Sequence, residues 1–210
     1  MKKSIVYVKN YSLIYENNEY TFDEILEKNI IFKYLKIIIL EEMLYIKSFP
    51  IKLKNSDLEK YIFNKITDIF PENGEILYDY EKNYNKDYIY IYSIKGREKI
   101  ERLCRESTLL EITPIQFIIR ECLNKILNTK KEDYRVVTHL YNKYYFIECN
   151  NGVFVDNYIT NNYIELQEYL KHKNIKGKIF ADKDCYLDEY FLDKVEIIKM
   201  NIVGSINEKL

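Results

Sequence analysis

Three short strand-like runs follow one another at the start of this 210-residue chain, and the same arrangement returns after residue 133. Residues 4–9 (SIVYVK) and 12–15 read as a hairpin, and residues 19–22 add a third strand, because apolar and polar side chains alternate with a period of two between turn-forming residues. Residues 134–141, 143–148 and 153–160 alternate in the same way, with Asn142 and the Asn150-Asn151-Gly152 triplet at their turns. Consecutive strands joined by tight turns can only run antiparallel. Each triplet leads into alternating strands and helices, so helices must cover the sheet faces.

The intervening segments fill in the plan. Residues 34–40 (YLKIIIL) read as a buried strand, Glu41-Glu42 as a turn, and residues 43–53 as a strand expected to pair with the first. Leu58, Tyr61, Ile62, Ile66 and Ile69 recur at helical spacing after a cap at Asn55, Ser56 or Asp57, and Pro71 and Gly74 stop that helix. A short helix with Asp23 near its start covers residues 23–28. Residues 76–80 and 87–94 form a second strand pair around a polar loop at 81–86. Residues 97–106 read as a helix, 109–112 as a buried strand, and Pro114 as the first position of a helix to about residue 127, capped by Thr113. Later, Asn161-Asn162 caps a helix to residue 171, residues 178–181 and 195–200 are strands, residues 186–192 a short helix, and the tail from Asn201 looks loose.

Two strand triplets, each followed by strand and helix alternation, are the plan of the actin-like, ribonuclease-H-like fold. This is an α/β class with mixed sheets flanked by helices in two lobes. The polar stretch 128–133 (NTKKED) is the natural hinge, dividing the chain into residues 1–128, an N-terminal actin-like lobe, and 129–210, a C-terminal ribonuclease-H-like lobe.

Composition narrows the chemistry. Only five glycines are present, and none shares a loop with another, so there is no Gly-rich cradle of backbone N–H groups for a phosphate. His139 and His172 are the only histidines, and neither has triad or metal-ligand spacing. Cys104, Cys122, Cys149 and Cys185 form no CxxC pair and read as reduced, mostly buried thiols. A net charge of -1 supplies no field to hold nucleic acid or an anionic membrane. The 22 tyrosines suggest base stacking, but their company of abundant Ile, Lys and Asn fits codon bias, and tyrosine suits half-wet strands.

A two-metal nuclease of this fold needs acidic residues on the first hairpin, and residues 4–15 contain none. Glu41-Glu42 and Asp182/Asp184 read as solvated turn and loop carboxylates, and Glu189 and Asp193, with Lys194 nearby, as a wetted helix face. Ser12 and Ser56 lack a histidine or a glycine elbow for nucleophilic catalysis. No catalytic, cofactor-binding or metal residues are therefore assigned. The opening MKKSIVYVKN has too short an apolar run for a signal peptide, and the longest aliphatic run, residues 37–40, falls far short of the roughly 20 residues that span a bilayer.

The stretch KIIILEEMLYIKSFPIKLKNSDLEKYIFNKITDIFPENGEILYDY resembles a segment of the type IV pilus protein PilM and the type II secretion protein GspL. In those families a hairpin ends in an apolar strand with proline, followed by a helix and an acidic, tyrosine-containing strand; here Phe49-Pro50, residues 58–70, Pro71 and Leu77-Tyr78-Asp79-Tyr80 hold these places. DYIYIYSIKGREKIERLCRESTLLEITPIQFIIREC is similar to the family's next strand, helix, strand and helix, with Thr113-Pro114 at the Glu-Pro step. The phosphate loops of PilM match residues 6–12 (VYVKNYS) and 137–144 (VTHLYNKY), and neither contains a glycine. ATP binding is therefore not carried over, which brings the chain closer to GspL.

The resemblance implies a non-catalytic cytoplasmic scaffold at the inner face of the cell membrane. Its implied partners are the assembly ATPase and a PilN-like or other inner-membrane platform protein, with a transmembrane helix following Lys209-Leu210 and a homodimer left open. The partner-binding residues are unknown at this stage. An active actin-like ATP-binding protein and a free-standing regulatory binding module remain the alternatives.

Overall fold

A computed structural model describes residues 3–28, 30, 32–51, 57–69, 75–83, 87–128, 133–187 and 195–209. Three sheets carry the architecture. The first runs β3-β2-β1-β4-β8, from β1 (Ser4–Val8), β2 (Ser12–Tyr15), β3 (Asn18–Thr21), β4 (Tyr34–Ile39) and β8 (Leu109–Pro114). A three-stranded sheet has the order β5-β7-β6, from β5 (Tyr45–Pro50), β6 (Ile76–Asn83) and β7 (Tyr88–Lys95). The third runs β11-β10-β9-β12-β13, from β9 (Tyr134–Leu140), β10 (Lys143–Asn150), β11 (Val153–Thr160), β12 (Gly177–Asp182) and β13 (Val195–Met200). Six helices accompany them among the described residues: α1 (Phe22–Glu27), α2 (Leu58–Ile69), α3 (Arg97–Cys104), α4 (Ile115–Ile126), α5 (Tyr163–His172) and α6 (Ile202–Lys209).

The chain forms two compact units. One comprises Met1–Val6, Tyr11–Lys36 and Leu44–Glu111, the other Tyr7–Asn10, Ile37–Met43 and Ile112–Leu210. The expected hinge at 128–133 falls inside the second unit, and residues 129–132 of it lie outside the described residues.

In the first unit, α1 is held by a capping box. Thr21 Oγ1 accepts from Glu24 N at 3.2 Å and Glu24 Oε2 accepts from Thr21 N at 2.7 Å, so Thr21 is the cap, and Asp23 lies in the first turn as expected. Asp23 receives Arg102 of α3 at 2.9 Å. Lys3 donates to Glu111 at 2.6 Å and holds its carboxyl below the usual range, with Lys36 Nζ 3.5 Å away.

The amphipathic α2 buries Ile62 and Ile66 on the three-stranded sheet, against Ile51, Ile89 and Ile91. β6 pairs antiparallel with β7 from Ile76↔Lys95 to Asn83↔Tyr88, so the strand continues through residues 81–83, where a loop was expected. The expected pairing of 34–40 with 43–53 does not form. β1 and β8 occupy both edges of β4, leaving β5 to pair with β7 from Tyr45↔Ser93 to Pro50↔Tyr88. β8 is also less buried than its LLEI pattern suggests: it ends the sheet, and Leu109 is 55% exposed.

In the second unit, β9, β10 and β11 form the expected antiparallel meander, and β12 joins β9 in parallel with β13 beyond it. Alternation along the strands sends Val137 and Phe146 to one face, where they pack with Leu166 and Leu170 of α5 and with Ile179 and Ala181 of β12. Asn162 caps α5 by accepting from Ile164 N at 2.8 Å, as its sequence predicts. Pro114, not Thr113, stands at the N-cap position of α4, without a side-chain capping bond, and Thr113 is the penultimate residue of β8.

Two expectations in this unit are corrected. Residues 202–209 are not loose but form α6, which buries Ile202 and Ile206 one helical turn apart and lies along α4. Asp182 is not solvated: it is 2% exposed, and its Oδ1 accepts from Val203 N at 2.8 Å in the first turn of α6. Its Oδ2 accepts from Asp184 N at 3.3 Å. Glu189, Asp193, Lys194 and most of the helix expected at 186–192 lie outside the described residues, as do Asn55, Ser56, Pro71 and Gly74. No helix among the described residues is long and apolar enough to cross a membrane.

Candidate functional site

Where β4 ends in the second unit, three consecutive residues are tied to distant parts of the chain. Leu40 N donates to Val8 O at 2.8 Å, and Leu40 O accepts from the buried Tyr145 hydroxyl at 2.9 Å. Glu41 Oε2 accepts from the backbone N–H of Asn10 at 3.1 Å, while its Oε1 stands 3.6 Å from Lys143 Nζ. Glu42 O accepts from Gln116 Nε2 of α4 at 2.8 Å. The segment therefore acts as a strap, and the reading of Glu41 as a solvated turn residue is corrected: its side chain is only 15% exposed.

The strap ends at the two turns that lack glycine. Leu140 pairs with Lys143, leaving Tyr141-Asn142 as a two-residue hairpin loop with φ of 50° and 61°. Positive φ at both central residues defines a type I′ turn, which asparagine accepts readily and tyrosine accepts at some strain. Beside this turn the rings of Tyr7 and Tyr141 lie 5.3 Å apart. Burial pushes the Tyr141 phenol far up, with the Tyr7 hydroxyl adding to it. Tyr145 is pushed the same way, first by burial and then by the Glu41 charge. Both remain neutral hydrogen-bonding groups at any physiological pH.

Among the described residues, no reactive constellation gathers around the other polar residues named from the sequence. Ser12 donates to Glu19, a partner on the neighbouring strand. His139 lies against the Tyr144 ring at 4.5 Å, and His172 occupies the last turn of α5, where a base complements the helix dipole. All four cysteines are free thiols, and burial raises Cys104 and Cys185 to about 11. Among the described residues no group of three or more His, Cys, Asp or Glu side chains is placed to hold a metal ion.

The first unit offers a different kind of site. β6 is an edge strand of the three-stranded sheet, and beside it α2 leaves Phe63 59% exposed. Phe63 faces a groove of about 440 Å³ whose other walls are Glu59, Lys60, Ile62, Tyr78 and Tyr80. Tyr78 is 49% exposed on the strand itself. An edge strand beside an aromatic groove suits an extended peptide: the backbone edge gives affinity, and the groove selects side chains. Sequence periodicity marks Ile62 and Ile66 as the buried face of α2 but is silent on Phe63, because exposure of a single aromatic depends on how far the sheet extends beneath the helix.

Comparison with protein-family models and with curated sequences finds no match. Solved structures do match, and they define the chain as an actin-like fold of the α/β class. A Bacteroides thetaiotaomicron protein with an actin-like ATPase fold and unknown function superposes with a TM-score of 0.56 at 7% identity, covering 97% of this chain and 94% of its own. The PilM-PilN type IV pilus biogenesis complex gives a TM-score of 0.57 at 10% identity, with coverage of 99% and 88%. The cytoplasmic domain of EpsL, an inner membrane component of the type II secretion system of Vibrio cholerae, gives 0.52 at 8%, with coverage of 98% and 93%.

Proposed function

We propose that this chain is a non-catalytic scaffold of a type IV pilus or type II secretion assembly platform, lying at the cytoplasmic face of the cell membrane. It would connect the assembly ATPase to a PilN-like or other inner-membrane platform protein. The observation that carries this reading is the likeness, over most of the length of each chain, to the PilM-PilN type IV pilus biogenesis complex and to the cytoplasmic domain of EpsL. The turns at Lys9-Asn10 and Tyr141-Asn142 support it, since a tight glycine-free hairpin presents few converging N–H groups to a nucleotide phosphate.

Docking in this reading works through the β6 edge. The occupant is an extended apolar segment on the cytoplasmic side of the platform protein, adding as a strand to β6 and placing alternate side chains against Phe63, Tyr78 and Tyr80. The ATPase then uses another surface. The test is capture of the ATPase and the platform protein encoded in the same genome by the purified chain and by a Phe63→Asp/Tyr78→Asp variant. Both partners are expected on the wild-type chain. The variant is expected to lose the platform protein by about 10-fold or more, as for a buried aromatic hot spot, and to retain the ATPase. Capture of neither partner by the wild-type chain overturns the scaffold reading, and unchanged capture by the variant overturns only the docking surface.

A further inference from the structure

The first unit holds a second cavity, which shares no wall with the groove beside β6. It measures about 440 Å³, within the range of roughly 300–1,000 Å³ typical of small-molecule sites. Its apolar walls are Ile25 and Leu26 of α1, Ile30 and Phe32 from the segment leading into β4, and Leu103 of α3. Ile25, Phe32 and Leu103 are buried, so the inner surface belongs to the packed core of the unit. Two sets of bonds hold these walls in place. Arg102 of α3 donates to Asp23 of α1 at 2.9 Å. Lys33 O accepts from Thr108 N at 3.0 Å, Leu109 N at 3.1 Å and Thr108 Oγ1 at 2.8 Å, which fixes the segment carrying Phe32 to the one that follows α3. The cavity is therefore built without a ligand.

Its charged groups are Arg102, Arg105 and Glu106. Asp23 already engages Arg102. Among the described residues nothing pairs with Arg105 or with Glu106, and both are exposed. A free guanidinium offers parallel N–H donors that match the two oxygens of a carboxylate. Glu106, the next residue, opposes a second negative charge, so a monoanionic head suits this rim better than a dianionic phosphate. The walls come from two helices and a short connecting segment and present no strand edge, so they do not suit an extended peptide backbone.

We propose that this cavity binds an aliphatic monocarboxylate of the fatty-acid class, its chain against Ile25, Phe32 and Leu103 and its carboxylate on Arg105. Glu106 limits the affinity and rejects heads of higher negative charge. The site stands on the geometry of the first unit and holds whether or not the chain serves a secretion or pilus platform.

The experiment titrates decanoate, kept below its micellar concentration, into the purified wild-type chain and three variants, with decanol as the uncharged probe and calorimetry as the readout. Wild type is expected to bind decanoate saturably at one site. Arg105→Gln, a change at an exposed position, is expected to weaken that binding by roughly 10–100-fold, the loss of a charge-assisted bond. Glu106→Gln is expected to tighten it by about 2–5-fold, and neither change is expected to alter the binding of decanol. Leu26→Glu, which puts a carboxylate on the half-buried wall, is expected to abolish binding of both probes. Should Leu26→Glu fail to fold, the opposite effects of the Arg105 and Glu106 changes decide alone. Decanoate that does not saturate or that fills many equivalent sites overturns the proposal. Equal decanoate affinity in wild type and Arg105→Gln, or an affinity that does not rise in Glu106→Gln, also overturns it.

Discussion

Phe146→Ala is expected to lower the midpoint of thermal unfolding by roughly 6–20 °C, from a loss of about 3–5 kcal/mol. Phe146 is fully buried on the α5 face of the meander, packed with Val137, Leu166, Leu170 and Ile179. Its ring meets that of Tyr169 edge-on at 5.6 Å. The strand and helix around it are fixed by their own hydrogen bonds, so the space left by the ring closes only in part, and the cavity adds to the lost transfer energy. A melt followed by circular dichroism measures this. A drop below about 2 °C would mean that this face is loosely packed.

Asp182→Ala is the second large effect, about 2–3 kcal/mol, because two backbone N–H groups lose a buried, charged acceptor. The carboxylate receives Val203 N and Asp184 N, and it holds the first turn of α6 in place. Lys209, at the other end of α6, pairs with Glu121 of α4, and Cys122 Sγ lies 3.6 Å from Ser205 O. Loosening the start of α6 therefore uncovers Cys122 and disturbs the loop holding Cys185. Alkylation followed by peptide mass analysis should show both thiols reacting faster in the variant than in wild type, with Cys104, in the other unit, unchanged. Asp182→Asn keeps one acceptor and should fall between the two. Equal protection of Cys122 in all three proteins would show that Asp182 does not secure α6.

The strands were legible because a period of two is a strong signal, and it survives in β1, β2, β6, β7 and throughout the meander. The pairing of β4 was not. A continuous apolar run states that both faces of a strand are covered, and it carries no information on which neighbours flank its edges. Choosing the next strand in sequence was the natural expectation, and the real neighbours, β1 and β8, come from residues 4–8 and 109–114. The same limit applies to the polar residues that matter most. Glu41 comes just after an apolar strand and Asp182 is the last residue of one, so each correctly marks a strand end. Their partners at Asn10, Lys143 and Val203 are set by tertiary structure, so no local pattern distinguishes a bonded carboxylate from a wet one. For α6 a signal existed: Ile202 and Ile206 are spaced i, i+4, but a single repeat in eight residues is weak evidence for a helix.

The absence of glycine from two turns was a sequence observation, and the structure gives it a physical form. One turn is a tight type I′ hairpin beside a pair of tyrosine rings, and the other gives its N–H to a carboxylate of the chain. Titration of ATP-Mg²⁺ into the purified wild-type chain, followed by calorimetry, tests this account most directly. No saturable heat is expected, because Glu41 and the tyrosine pair lie at the two turns; clear micromolar binding of ATP-Mg²⁺ would show that these turns still hold a nucleotide.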